Sequence, residues 1–440
     1  MKRIPLFALL ASLCALLFCS ACGERPVVTS PDGRISLRVA ADADCPSWSG
    51  EVDGEPLLLP SRLGARTREA LIAGTRIASV RHSSFDEEWT QPWGENKLVR
   101  NHCNEMTVTL RGAGDVALTL RARAFDDGVA FRYEWSVAGC DTLAVTDELT
   151  EFRFADEPGT LSWSLPGNFE TYELQYREQP VAEIADANTP FTFRTAAGLY
   201  GSVHEAALYD YPEMVLRRDS AGVLKADLAP LPDGVKAYVP ATFTTPWRTV
   251  QIGSRAVDLI NSALILNLNE PSKIADTSWI TPQKYVGVWW GMHLGTQVWT
   301  MGPRHGATTA NALRHIDFAA ENNIQGVLFE GWNQGWENWG GNQHFDYVEP
   351  YADFDLERIA AYARERGVEL WMHAETGGNI PEFERQLEAA MQRYAELGIR
   401  TLKTGYAGGF KGGYLQHSQY GVPHYKRLVE AAARNRSKKD

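Results

Sequence analysis

Four short stretches hold most of the side chains in this sequence that could do chemistry: Trp289-Trp290, Glu330-Gly331-Trp332-Asn333 followed by Trp336 and Trp339, His373-Ala374-Glu375, and Lys403-Thr404-Gly405-Tyr406. A carboxylate such as Glu330 can clasp two vicinal hydroxyls, His373 and Lys403 can donate to others, and flat indoles stack on the C–H faces of sugars. Glu375 follows the apolar run Leu370-Trp371-Met372 and precedes Thr376-Gly377-Gly378, so its carboxylate should project from a strand end beside pliable backbone. Glycosidic bond hydrolysis needs two carboxyl groups, one to protonate the leaving oxygen and one to activate water or attack the anomeric carbon. Glu375 can supply one of them. The residue pattern by itself equally allows structural hydrogen bonds for Glu330 and Glu375, bystander roles for His373 and Lys403, and core packing for the tryptophans.

The elements that must position these residues alternate strand and helix. Residues 285–290, 326–330, 369–373 and 400–403 read as strands, and 307–322, 356–366, 380–397 and 422–435 as helices. Four such units in a row call for a parallel sheet with helical crossovers. No glycine-rich phosphate loop follows the first strand, and polar and aromatic residues stand at the carboxyl end of every strand, where a (β/α)₈ barrel assembles its site. Eight strands close such a barrel and four are present, so 271–440 reads as its first half and the chain as a fragment or early-terminated form of a longer enzyme. Upstream, 27–243 consists of short β-rich runs punctuated by Gly, Asp, Asn and Pro, clearest at 34–39, 106–110 and 129–135. The expected fold is therefore multidomain, a large N-terminal β-sandwich over 23–270 followed by α/β, with a helical or mixed bridge around 256–267.

With 43 Lys and Arg against 55 Asp and Glu, the chain carries a net charge of −12, which argues against nucleic acid or an anionic bilayer and for a neutral substrate. Lys2 and Arg3 precede an apolar run over 4–18 that is too short for a comfortable membrane span and has the order of a secretory leader. Ser20-Ala21-Cys22-Gly23 resembles a lipoprotein cleavage box, so 1–22 reads as a lipoprotein signal peptide. The expected product is an exported protein of the periplasm or outer membrane, held to the membrane only by a lipid anchor on Cys22. Cys19 stands where such boxes usually have Leu, which keeps plain secretion as the alternative. Cys45, Cys103 and Cys140 remain after processing, without metal-ligand spacing and with at most one disulfide among them.

Seven motifs, in order from about residue 27 to the C-terminus, resemble glycoside hydrolase family 97. They are Pro92-Trp93-Gly94-Glu95, Phe125-Asp126-Asp127-Gly128-Val129-Ala130-Phe131-Arg132, His204-Glu205-Ala206-Ala207-Leu208, Thr245-Pro246-Trp247-Arg248-Thr249, Val286-Gly287-Val288-Trp289-Trp290, Glu330-Gly331-Trp332-Asn333 and Lys403-Thr404-Gly405-Tyr406. The resemblance implies an N-terminal β-super-sandwich, a catalytic (β/α)₈ TIM barrel, a small C-terminal β-domain and a requirement for calcium. It also implies a division of mechanism: retaining members, typically α-galactosidases, have an aspartate nucleophile at the end of the fourth barrel strand, whereas the inverting α-glucosidases have glycine there. Gly405 stands at that position. Glu375 then corresponds to the carboxylate that holds the attacking water, and inversion needs roughly 6.5–9.5 Å between acid and base for that water to fit. By the same resemblance His373, Lys403 and Glu330 contact the sugar of the first subsite, with Trp289, Trp290 and Trp332 as stacking candidates. Glu205 is implied as a calcium ligand lent by the sandwich. The family's other calcium carboxylates and its general acid lie on later barrel strands, so the Ca²⁺ site is expected to be incomplete in this chain.

The reading that joins these strands is a glycosidase that inverts an α-linked glucoside or oligosaccharide, impaired here to the point that the polypeptide alone is inactive or nearly so. Two rivals stand beside it. One is a retaining α-galactosidase of the same family; the other is a noncatalytic sugar-binding lipoprotein.

Overall fold

The computed structural model describes residues 25–41, 45–112, 116–339 and 344–437, so the leader and Cys22 lie outside the described residues. From Val27 to Gly253 the chain is almost entirely antiparallel β. Strand runs that alternate buried and half-buried residues, such as Val116–Phe125, form a ten-stranded sheet. That sheet includes the long hairpin Arg76–Thr90 and Leu98–Arg111 and the central strands Gly128–Val137, Trp247–Gly253 and Tyr200–Ala206. Period-two alternation gives each strand one apolar face, and these faces close over a core containing Trp48, Phe131, Phe152 and Phe193 against a five-stranded sheet that starts at Val27–Thr29. The strands expected at 106–110 and 129–135 fall within Leu98–Arg111 and Gly128–Val137, and the one expected at 34–39 matches Ile35–Ala41 but for its first residue. The bridge is helical at Ala256–Asn261 and Leu264–Leu268. Among the described residues no disulfide joins Cys45, Cys103 and Cys140, and no helix is long and apolar enough to cross a membrane.

Beyond the bridge four strands, Tyr285–Gly287, Gly326–Leu328, Glu369–Glu375 and Thr401–Gly405, pair in parallel and in chain order. Helices Thr309–Glu321, Leu356–Glu365 and Ile380–Glu396 make the crossovers, and Gly421–Ser437 follows the fourth strand. Local chemistry sets the helix starts: Thr308 accepts the Asn311 N–H and Asp355 accepts the Arg358 N–H, each filling a donor that the first turn leaves without a partner. The helices cover one face of the sheet, where Val327, Met372 and Ala374 pack with Ile316, Ile359 and Phe383. Because side chains alternate along a strand, His373 and Glu375 point from the other face.

One boundary differs from the sequence reading. The first parallel strand stops at Gly287, and Val288 turns into a short helix, Trp289–His293. The β-rich run Val286-Gly287-Val288-Trp289-Trp290 hid this turn. A Cβ at Gly287 would lie 2.4 Å from the Leu328 carbonyl, so the backbone there is pressed against the neighbouring strand just before it leaves the sheet.

Candidate active site

The second, third and fourth parallel strands bring Glu330, His373, Glu375 and Lys403 to one end of the sheet. Register does most of this, since His373 lies beside Lys403 and Glu375 beside Gly405. Glu330 begins the loop two residues past its strand, is 5% exposed, and accepts a 2.9 Å bond from Lys403 Nζ. His373 Nε2 stands 4.0 Å from the same oxygen. Burial, reinforced by the Lys403 charge, pushes the His373 imidazole down to about 3, so it is neutral at ordinary pH.

One glycine fixes the loop behind Glu330. Gly331 has φ +77° and faces Trp299 so closely that a Cβ would lie 2.7 Å from its carbonyl oxygen. His305 Nε2 meets the Gly331 carbonyl at 2.9 Å, and its Nδ1 meets Asp353 at 2.8 Å, so a buried imidazole braces the turn that presents the carboxylate. Gly326 matters for packing, because Trp371 lies where its side chain would be.

Glu375 is held from two chain segments. Its Oε1 accepts the N–H groups of Gly377 at 2.8 Å and Ala407 at 3.0 Å. The first comes from its own turn, which needs left-handed glycine at Gly377 and Gly378, and the second from the loop after the fourth strand. Tyr347 Oη donates to the Glu375 backbone carbonyl at 3.0 Å. The side chain is 7% exposed, and burial, with the nearby Glu330 charge, raises its pKa above the ordinary carboxylate value against the pull of those backbone donors. Its Oε2 occupies the place a side chain at 405 would take: a Cβ built on Gly405 lies 2.0 Å from that oxygen. A buried carboxylate with a raised pKa, fixed by backbone donors at a strand end, is equipped to act as a base.

The aromatic expectations divide. Trp332, read as a stacking platform, is 1% exposed and sits in the core against Phe354 and Tyr394, which corrects that reading. The positive φ at Gly331 returns the chain inward, and the Trp332 indole N–H instead supports the His373 carbonyl at 2.7 Å. Trp289 and Trp290 are exposed on their short helix and pack on each other and on His293, and among the described residues their ring partners do not include His373. Trp336 is the ring that does reach the cluster, lying face to face with His373 and flanked by Trp299 and Trp339. Its position in the same tryptophan-rich stretch was the available signal. The backbone donors of Gly377 and Ala407 left no signal in side-chain type.

Glu205 lies in the sandwich, away from this cluster. Its Oε2 pairs with Arg248 Nη1 at 2.5 Å and its Oε1 accepts the Met214 N–H at 3.2 Å. Arg248 also forks onto Glu148 through Nε at 2.8 Å and Nη2 at 2.6 Å, so one buried cation faces two acids. Burial pushes Glu205 up to about 7 despite its partner. With both oxygens engaged by protein donors, and with no group of three or more His, Cys, Asp or Glu able to hold an ion among the described residues, the residues present do not form a calcium cage.

Comparison with known proteins places this geometry. The family model described as glycosyl-hydrolase 97 N-terminal matches residues 28–271, and the one described as glycoside hydrolase 97 matches 289–438. A curated relative from Bacteroides thetaiotaomicron, named retaining alpha-galactosidase, is 24% identical over 92% of this chain. Two solved structures of a glycoside hydrolase family 97 enzyme from Pseudoalteromonas sp. strain K8, one a variant in complex with panose and one in complex with acarbose, are each 39% identical over 93% of this chain with a TM-score of 0.88. The chain spans 63% of the length of that curated relative and 65% of each of those structures.

Proposed function

Since the chain belongs to glycoside hydrolase family 97, we propose that its site takes the terminal glucose of an α-linked oligosaccharide and that the complete reaction inverts the anomeric centre. The observation that carries the choice of mechanism is the space at Gly405. The Glu375 carboxylate fills the volume in which a nucleophilic side chain at 405 would have to begin, so the two cannot share this arrangement. Glu375 Oε1 is held by two N–H groups while Oε2 remains to draw a proton from water. That water's oxygen attacks the anomeric carbon as the glycosidic bond breaks, and its proton passes to Glu375. The leaving oxygen takes a proton from a general acid that is assigned to no residue of this chain. Glu330, held by Lys403, is the hydroxyl clasp, and neutral His373 supplies a hydrogen-bonding ring beside it.

The sequential parallel strands support a (β/α)₈ barrel as the frame, with this sheet as its first half. The panose and acarbose complexes of the Pseudoalteromonas enzyme support an α-linked oligosaccharide as ligand. Export with a lipid anchor at Cys22 rests on the leader sequence. The second reading, a retaining α-galactosidase, draws on the name of the Bacteroides relative.

Proton NMR of the first-formed sugar separates these readings. On p-nitrophenyl α-glucoside, β-glucose appearing before mutarotation supports inversion. An α-anomer appearing first, or turnover confined to the α-galactoside, overturns it.

A further inference from the structure

The loop from Tyr406 to Tyr420, between the fourth parallel strand and the last helix, has two sets of anchors. At its start Ala407 N–H holds Glu375 Oε1, and Lys411 N–H donates to the Gly378 carbonyl at 2.9 Å. Gly378 and Gly409 are packed so closely that a Cβ on Gly378 would lie 2.2 Å from the Gly409 carbonyl oxygen. The loop therefore grips both Glu375 and the turn behind it.

At its other end the anchors belong to the sandwich. His417 N–H donates to the Phe169 carbonyl at 3.1 Å, and the His417 carbonyl accepts the Glu213 N–H at 3.0 Å. Gln416 N–H donates to Glu170, and the Gln419 amide bridges the Asp210 carbonyl and both backbone groups of Tyr238. Among these backbone contacts lies one side-chain cluster. The Tyr172 ring stacks on the His417 imidazole with centroids 4.8 Å apart, its hydroxyl donates to Glu213 Oε1, and Glu213 Oε2 lies 3.0 Å from His417 Nδ1.

We infer that Glu213, with Tyr172 and His417, is a positioning residue by which the sandwich fixes the 406–420 loop and, through Ala407, the Glu375 carboxylate. The cluster works with a protonated acid. Glu213 is buried, and the groups facing it are Tyr172 and His417 from two loops and the Glu205 carboxylate, whose charge Arg248 already answers. Burial and the Glu205 charge push Glu213 up to about 8, and burial pushes His417 down to about 4. A neutral carboxyl then accepts from Tyr172 at Oε1 and sets Oε2 3.0 Å from the otherwise unpartnered Nδ1 of a neutral imidazole. No buried charge is created. The inference rests on Glu375 being the working carboxylate, but its test does not.

Hydrogen–deuterium exchange of the full chain at pH 7, read by mass spectrometry, follows peptides covering 375–379, 406–418 and, as control, the sandwich strand 116–125. Glu213→Ala is expected to speed exchange about fivefold in the first two and leave the control unchanged, the size expected for losing about one neutral hydrogen bond from a local opening equilibrium. Glu213→Gln should keep wild-type protection, because its amide still accepts from Tyr172 and fills the same space beside His417 without a charge. Unchanged exchange in Glu213→Ala, equal acceleration in both variants, or acceleration that includes the control peptide would overturn the inference. Should Glu213→Ala fail to fold, Tyr172→Phe, which removes one hydroxyl from a half-exposed ring, must speed the same two peptides; no change there refutes it equally. Loss of hydrolysis by Glu375 variants with the latch intact would instead bear on the catalytic reading alone.

Discussion

Replacing Gly405 by alanine should destabilise the protein only while Glu375 is present. The parallel register sets the two residues side by side, and the added methyl would sit 2.0 Å from Oε2 and 2.8 Å from Cδ of Glu375. The carboxylate has to swing away and give up the Gly377 and Ala407 N–H groups. Hydrogen bonds to a charged group contribute about 1.5–3 kcal/mol each, so the two set an upper bound of about 3–6 kcal/mol. Water recovered by the displaced carboxylate reduces this, and replacing glycine by alanine offsets about 0.4–1 kcal/mol more through the unfolded chain, leaving a net cost of about 2–3 kcal/mol. In a Glu375→Ala background only a 3.3 Å approach to the Cα of residue 375 remains, and Gly405→Ala should be close to neutral. The assay is a four-cornered denaturant cycle on wild type, each single variant and the double variant, with midpoints converted through a common slope. The expected coupling is about 2–3 kcal/mol. A coupling under about 0.5 kcal/mol would mean that the sheet relaxes to hold both groups. The spatial argument against a nucleophile at 405 would then fall with it.

Three further expectations follow from the same geometry. Arg248→Met leaves Glu148 and Glu205 buried without their cation and should cost about 3–5 kcal/mol in denaturant unfolding; calcium should not restore the loss, and a restored midpoint would show that Glu205 can serve a metal after all. Lys403→Ala removes the ammonium from buried Glu330 and should weaken panose binding about tenfold in calorimetric titration, whereas unchanged affinity would remove both residues from the sugar subsite. In the pH profile, Glu375 must be ionised to act as a base, and its folded pKa is raised. Activity should therefore fall with acid around a midpoint above the ordinary carboxylate value of 4.5, and a kcat/KM limb at or below 4.5 would assign the proton to another group.

Much of this was legible in the residues because the governing patterns are local. Apolar runs of strand length separated by helical runs specify parallel units. Once strands pair in order, alternation puts His373 beside Lys403 and Glu375 beside Gly405. What failed was local direction reversed by one torsion. Trp332 stands at a strand end like its neighbours, yet the left-handed Gly331 before it turns the ring into the core. Trp289 and Trp290 were assigned to a strand because valine and tryptophan favour β, while the backbone had already turned helical at Val288. The partner of Glu205 was hidden for a nonlocal reason: it lies directly across from Arg248 in the antiparallel register, a pairing that joins residues 43 apart in the chain.

The dependence of Glu375 on the sandwich was hidden for the same reason, and it explains why the two halves of the chain need each other. A strand in the middle of a sheet has its terminal loop steadied by neighbours on both sides. The loop after Thr401–Gly405 also finds fixed points outside its sheet. Phe169, Asp210, Glu213 and Tyr238 of the sandwich supply them. One of the two N–H groups holding the Glu375 carboxylate belongs to that loop, so the precision of the carboxylate is set partly by residues that never approach it. A reaction that needs its base held within a fraction of an ångström thus makes the docking of the sandwich part of the site.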